Sequence, residues 1–261
     1  MYNMVSDKYH SLYIETLSYW SALQETREPY EMTRDGILDA WTTLNYAKVV
    51  AAMLHPTDEQ KYALMKKLGE WLSGSLSYSD GTTGGIKVDG TSFHHGGHYP
   101  RYSVGAFAAL GDYCWFTEGT DFVIDESARR VFKHTLMAMD DYTNLLDWGI
   151  GISGRHPFNG YIPKPDILAY GRLAVLGDLT DSGNKVDHEL AGAYLSLGGE
   201  ERSLISKFRA DGVKPSSPKE GFRVYNYGGF GIHRRGDWML TLKGFNSDVW
   251  SSEIYTSNNR F

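Results

Sequence analysis

The sequence predicts an α+β protein, mostly helical over residues 1–214 and passing to antiparallel strands over 215–261. Three observations carry this reading. Apolar residues recur at steps of three and four through most of the chain. The stretch Asp211-Gly212-Val213-Lys214-Pro215-Ser216-Ser217-Pro218 then interrupts helix with two prolines and several small residues. Beyond it Tyr, Phe, Val and Thr follow in alternating runs. With 261 residues, 41% hydrophobic and 14% aromatic, the chain can bury a sizeable core as one large domain or two smaller ones.

In order, the spacing predicts a helix over about 7–23, then one carrying Ile37, Trp41, Leu44, Ala47 and Ala51 on one face. Leu64, Leu68, Trp71 and Leu72 define the next, opened by the capping pair Thr57 and Gln60. Val104, Phe107, Ala108, Gly111, Cys114 and Trp115 form another stripe, as do Ala128, Val131, Phe132, Thr135, Leu136 and Met139. Two further helices are expected over about 165–178 and 187–198. Helices of this length joined by Gly- and Pro-containing loops suit an array of helical hairpins, which composition does not distinguish from other bundles.

After Pro215, Phe222–His233 and Trp238–Phe245 read as two strands joined by an Arg234-Arg235-Gly236-Asp237 turn, and Val249–Tyr255 as a third. The Arg-Gly-Asp tripeptide has the chemistry that a hairpin turn selects, so its adhesion reading is set below the turn. So few strands rarely form an independent sheet, and the chain is therefore expected to be a piece of a longer protein that stops within its β domain.

The net charge of −6 argues against a nucleic-acid binder, which needs a basic excess to meet phosphates. An acidic polysaccharide asks only for a local basic lining, for which Arg101, Arg155, Lys164, Arg234, Arg235 and Arg260 are candidates. The one cysteine, Cys114, excludes an intrachain disulfide and is expected inside a helix. No run approaches the ~18 apolar residues of a membrane span, and Met1-Tyr2-Asn3-Met4-Val5-Ser6-Asp7 lacks a basic then apolar leader.

Chemistry concentrates in Asp89-Gly90-Thr91-Ser92-Phe93-His94-His95-Gly96-Gly97-His98-Tyr99-Pro100-Arg101-Tyr102, where histidine, tyrosine and arginine share a glycine-broken turn. His94 and His98 are four apart, but Gly96 and Gly97 weaken the helix that would pair them on zinc, and no spaced third ligand follows. Read with Gly154-Arg155-His156-Pro157-Phe158-Asn159, Tyr225-Asn226-Tyr227-Gly228-Gly229-Phe230-Gly231-Ile232-His233-Arg234 and Trp250-Ser251-Ser252-Glu253-Ile254-Tyr255, this stretch resembles the chondroitin, hyaluronate and xanthan lyases of one polysaccharide lyase family. The nearest likeness is to the broad-specificity chondroitin sulfate ABC lyases. It covers roughly residues 85–261; over 1–84 only a helical pattern is read.

The resemblance implies an incomplete α/α toroid over 1–214, followed by the first strands of an antiparallel β-sandwich over 215–261. It implies a secreted or periplasmic enzyme that cleaves chondroitin- or dermatan-type glycosaminoglycans by β-elimination. No nucleic-acid or membrane partner is expected, and no cofactor is required, with a divalent cation left open. His95, Tyr102, Arg155 and Glu253 match the family's catalytic tetrad. Elimination removes the weakly acidic C5 proton beside the uronate carboxylate and expels the oxygen at C4. That needs a base, an acid and positive charge near the carboxylate, which His, Tyr and Arg supply. Arg101, Asn159 and Arg234, close in sequence to tetrad or motif residues, are expected to bind sulfate or carboxylate groups.

Two other readings stand beside this one. A glycoside hydrolase on a helical toroid needs two carboxylates, for which Asp89, Asp147 and Glu253 are available. A non-catalytic carbohydrate-binding fragment needs only an aromatic and basic surface. Trp41, Trp71 and Trp148 can stack on sugar rings or fill the core.

Overall fold

The computed structural model describes residues 7–32, 35–154, 158, 160–181 and 183–249. Helix α1 spans His10–Trp20, α2 Ile37–Thr42, α3 Val50–Met53, α4 Asp58–Ser75, α5 Pro100–Thr117, α6 Glu126–Asp141, α7 Leu168–Ala174, α8 His188–Ser196 and α9 Arg202–Ala210. The face read through Ile37 and Ala51 is one helical path with a π-helical turn at Asn45–Val49 between α2 and α3.

Local chemistry explains where the helices start. Thr57 Oγ1 accepts from Gln60 N at 3.2 Å, and Gln60 Oε1 accepts from Thr57 N at 3.4 Å, closing the expected capping box of α4. Asp125 caps α6 through Ala128 N, and Asp187 caps α8 through Glu189 N and Leu190 N. Pro100 opens α5, where its missing N–H costs nothing.

Helix α5 packs against α2 on one side and α7 on the other, while α6 packs against α4 and α8. Helix α7 in turn packs against α8, and α3 against α4. The core between them holds Trp41, Leu68, Phe107, Leu110, Phe132, Leu136, Tyr170 and Tyr194, all buried. Trp41, Trp71 and Trp148 belong to this core at 0%, 3% and 0% exposure, which removes them as sugar-stacking platforms. Cys114 is also buried on α5, and burial pushes its thiol up to about 12. Among the described residues no helix is long and apolar enough to cross a membrane.

Two short sheets complete the described fold. The first is a two-residue ribbon of β1 (Phe93–His94) and β2 (Gly97–His98). The second is antiparallel in the order β3 (Gly221–Tyr225), β4 (Phe230–Arg235), β5 (Trp238–Lys243). The single strand expected over Phe222–His233 is therefore two, folded back at Asn226-Tyr227-Gly228-Gly229. The turn expected before Trp238 is present and tighter, with Arg235 opposite Trp238. The strand expected over Val249–Tyr255 lies, from Trp250 on, outside the described residues.

This sheet is docked on the end of α6. Asp141 Oδ2 accepts from Arg223 Nε at 2.5 Å and from the Tyr225 hydroxyl at 2.7 Å. Asp89 Oδ2 accepts from Tyr227 N at 2.8 Å. Tyr225, Phe230 and Ile232 join the helical core, while Phe222, Val224, Leu240 and Leu242 face outward and exposed.

Candidate active site

The ribbon β1–β2 presents the site. His94 pairs with Gly97, leaving His95 and Gly96 as the two turn residues, at φ 52° and 76°. Two consecutive left-handed residues make a type I′ turn, whose twist suits a tight hairpin. Glycine takes that conformation freely, and histidine is among the few side chains enriched there. His95 is exposed at the tip while His94 and His98 are buried behind it.

The ribbon is held from both sides. Phe93 N donates to Gly85 O at 2.7 Å and Tyr99 N to Ser92 O at 3.0 Å. The Ser92 and Ser103 hydroxyls hydrogen-bond each other, and Ser103 Oγ donates to Tyr99 O at 2.9 Å. Under Phe93 lies Lys87, fully buried, its Nζ 4.7 Å from the ring centroid. Its ammonium donates to Ser79 O, Ser79 Oγ, Asp80 O and Thr83 O, which folds the 79–83 loop onto the ribbon. Burial pulls this lysine down to about 8, against the opposing fields of Asp80, Asp89 and Asp35.

Helix α5 begins two residues after the ribbon, so Tyr102 falls in its first turn. The ring centroids of His95 and Tyr102 are 5.6 Å apart. Tyr99 meets Tyr102 edge-on at 4.8 Å and His95 edge-on at 6.2 Å. Gly154, at φ 69°, closes on the same ring: a Cβ there would stand 2.7 Å from Tyr99.

An open cleft of about 500 Å³ lies beside Tyr102, lined by Asp39, Thr42, Tyr99, Arg101, Gly105, Pro163 and Asp166. Arg101 is exposed on its wall. Burial raises the Asp166 carboxyl above its ordinary range, with Arg101 opposing.

The structure brings together His95, Tyr102 and Arg101. It sets Arg234 apart, in β4. The Arg234 guanidinium is 3% exposed and donates to Asn144 Oδ1 at 2.8 Å, Thr143 O at 2.9 Å and Asp141 O at 3.2 Å, so it ties sheet to helix rather than lining the cleft. Arg155, Asn159 and Glu253 lie outside the described residues. Asp89 is occupied by Tyr227 N, Thr91 N and Thr91 Oγ1, and Asp147 Oδ1 by Gly149 N. His94 and His98 sit on neighbouring positions of the paired ribbon and so project to opposite faces. His94 meets Tyr102, and His98 stacks on Phe230 at 5.2 Å. Sequence reasoning missed Asp39, Asp166 and the contacts of His94. The two aspartates sit in helical stretches with no motif around them, and His94 was weighed only as a metal ligand.

Comparison with known proteins extends the likeness through the first 84 residues, where sequence reading alone found only helices. The chain is 31% identical over 265 aligned residues to the chondroitin sulfate ABC endolyase of Proteus vulgaris, covering 99% of this chain and 25% of that protein. It is 26% identical over 263 residues to the chondroitin sulfate ABC exolyase of Bacteroides thetaiotaomicron, covering 93% and 25%. A chondroitin sulfate ABC exolyase of Proteus vulgaris is 27% identical over 254 residues, covering 95% and 25%. The chain spans about a quarter of the length of these curated relatives. Residues 1–204 match the family model described as "Lyase, catalytic", and the chain belongs to that family.

Proposed function

We propose that this chain carries part of the active site of a glycosaminoglycan lyase, which cleaves chondroitin- and dermatan-type chains by β-elimination to unsaturated oligosaccharides. The observation that carries the reading is the ring contact between His95 and Tyr102, 5.6 Å between centroids, with Tyr102 on the wall of an open cleft. Tyr102 acts as general acid, and as base on glucuronate. His95 acts as base where the C5 proton projects the other way, as in iduronate. Arg155 supplies positive charge, Glu253 orients it or His95, and Arg101 and Asn159 bind acidic groups of the glycan. The names of the relatives support this substrate class.

The serial packing of α2 on α5 and α5 on α7, and of α4 on α6 and α6 on α8, supports an incomplete α/α toroid, and the outward apolar face of β3–β5 supports one layer of a β-sandwich. A secreted or periplasmic setting and action without a required cofactor follow from the same family reading. Incubating the complete natural protein with chondroitin and dermatan sulfate should raise ultraviolet absorbance from the new C4–C5 double bond. Reducing ends without that absorbance would instead select hydrolysis, for which Asp39 and Asp166 are the carboxylates lining the cleft. Glycan affinity without turnover, unaffected by Tyr102→Phe, would select a binding module. His95→Ala should lose most activity on dermatan and keep more on glucuronate polymers. Equal residual turnover on matched epimers would remove the epimer assignment.

A further inference from the structure

The open cleft beside Tyr102 is an uneven match for a polyanion. Among the described residues its wall carries the Arg101 guanidinium and two carboxylates, those of Asp39 and Asp166. Asp39 is exposed, with His94 Nε2 at 3.7 Å. Asp166 is partly buried in the short helical turn Lys164–Ile167, where its backbone N–H donates to Pro163 O at 2.9 Å. That turn packs on α5, so Asp166 and Arg101 reach the same cleft from two elements. Burial works against the Asp166 charge and the Arg101 field supports it. Among the described residues the carboxylate itself takes no hydrogen bond and no ion pair.

A carboxylate that is partly withdrawn from water without a hydrogen bond costs free energy, and in a cleft that cost marks a place where a ligand completes it. An ionised carboxylate only accepts, so the group that meets Asp166 must donate. In a glycosaminoglycan the donors are free hydroxyls and acetamido N–H groups, whereas uronate carboxylates and sulfate esters only accept. A sulfate ester on such a hydroxyl removes the proton and sets a second negative charge against the first. Arg101 is the converse: it only donates, and so takes the acidic groups.

We propose that Asp166 is a specificity-determining residue, which accepts a hydrogen bond from a free hydroxyl of the bound glycan and disfavours chains sulfated at that hydroxyl. This rests on the lyase reading and names, within it, which glycans the cleft takes. Arg101 holds an acidic group by attraction, and Asp166 discriminates against a second one by repulsion and by the lost donor. Asp166→Asn keeps the shape and one acceptor but removes the charge, whereas Asp166→Ala removes the acceptor as well.

The test takes the complete natural protein and chondroitin oligosaccharides of one length, unsulfated or sulfated at hexosamine C4, hexosamine C6 or uronate C2. Unsaturated product gives kcat/KM, and calorimetry in a Tyr102→Phe background gives affinity without consuming the glycan. The parent should disfavour one sulfation pattern by at least about tenfold, the lower end of what a hydrogen bond to a charged group contributes. Asp166→Asn should bring that pattern to within about threefold of the unsulfated chain, because the like-charge repulsion is gone. Asp166→Ala should also weaken binding of the unsulfated chain. A merely structural role would instead move all four glycans together. If the parent yields no unsaturated product, the lyase reading fails while the four affinities still decide the selectivity. Equal kcat/KM and equal affinity across the four glycans in the parent, parental ratios in Asp166→Asn, or loss of turnover on all four in that variant would overturn the proposal.

Discussion

The same residue types meet at two places in this molecule and do opposite work. In the cleft wall stand Tyr102, Arg101 and Asp39, with His95 against Tyr102; at the seam between α6 and the three-stranded sheet stand His98, Tyr225, Arg234 and Asp141. At the seam Arg234 and Asp141 hydrogen-bond to neighbouring side chains and main chain, while Arg234 Nε and His98 Nε2 are buried without a partner among the described residues. Arg234 donates to three oxygens and Asp141 Oδ2 accepts from two side chains, so little capacity is left for a ligand. At the cleft, His95 and Arg101 are exposed, and Tyr102 and Asp39 face the open volume. Chemistry in a sequence is thus a list of capacities, and the fold decides which are spent on stability and which are kept for substrate.

The largest expected effect lies on the cleft side. Tyr102→Phe removes one hydroxyl from a half-buried ring and should lower turnover by ~10² to 10⁴, the ordinary worth of general acid–base catalysis. Unfolding free energy in urea should fall by no more than about 1.5 kcal/mol, the upper end of what one neutral hydrogen bond contributes. Residual turnover above about a tenth on every substrate would end the general-acid role, since even the low end of that range would then be missed.

Arg234→Met should invert that pattern. It leaves the Asn144, Thr143 and Asp141 oxygens without their charged donor in a buried seam and should cost about 3 kcal/mol of stability. KM per folded molecule should hardly move. A raised KM with an unchanged midpoint would place the guanidinium on the substrate and break the comparison.

How much of this was legible beforehand follows the same division. Helices α4, α5 and α6 are long enough for apolar periodicity and caps to mark them, down to the Thr57–Gln60 box. Helix α9 escaped because nine residues hold only Leu204, Ile205 and Phe208 as an apolar face, behind a Glu cap that is not among the usual signals. The hairpin between β3 and β4 escaped because Tyr225, Tyr227 and Phe230 continue an aromatic run through its turn. For the site, the motif around His95 located the ribbon and the helix start. It did not separate Arg101 from Arg234, because sequence neighbourhood carries no information on burial.

His98 sharpens the comparison through pH. It is buried between Phe230 and Tyr142, and desolvation, assisted by nearby Lys243, pulls its imidazole down to about 3. In the unfolded chain the same group takes a proton near 6.5. Between those values the unfolded state binds the proton and the folded state does not, so stability falls as pH falls from about 6.5 toward 3. Each pH unit crossed in that window is worth about 1.4 kcal/mol. His98→Phe, which keeps the stack, should flatten the slope of urea midpoint against pH relative to the parent. An unchanged slope would mean that His98 takes up its proton without unfolding.

Asp89→Asn gives the smallest effect and the cleanest separation of readings. Its Oδ2 accepts from Tyr227 N at 2.8 Å and its Oδ1 from Thr91 Oγ1 at 2.6 Å, so it pins the β3–β4 turn to the loop before the ribbon. Asparagine keeps one acceptor and loses the charge, turning charge-assisted bonds into neutral ones at one oxygen and forfeiting the other. A loss of about 1 to 2 kcal/mol follows, with turnover at saturating substrate changed less than the stability. Were Asp89 one of a hydrolase's two carboxylates, the same change would abolish turnover and barely touch the midpoint, because a neutral amide can serve neither as acid nor as nucleophile. Measuring both quantities on this one variant therefore decides whether the carboxylate belongs to the seam or to the chemistry.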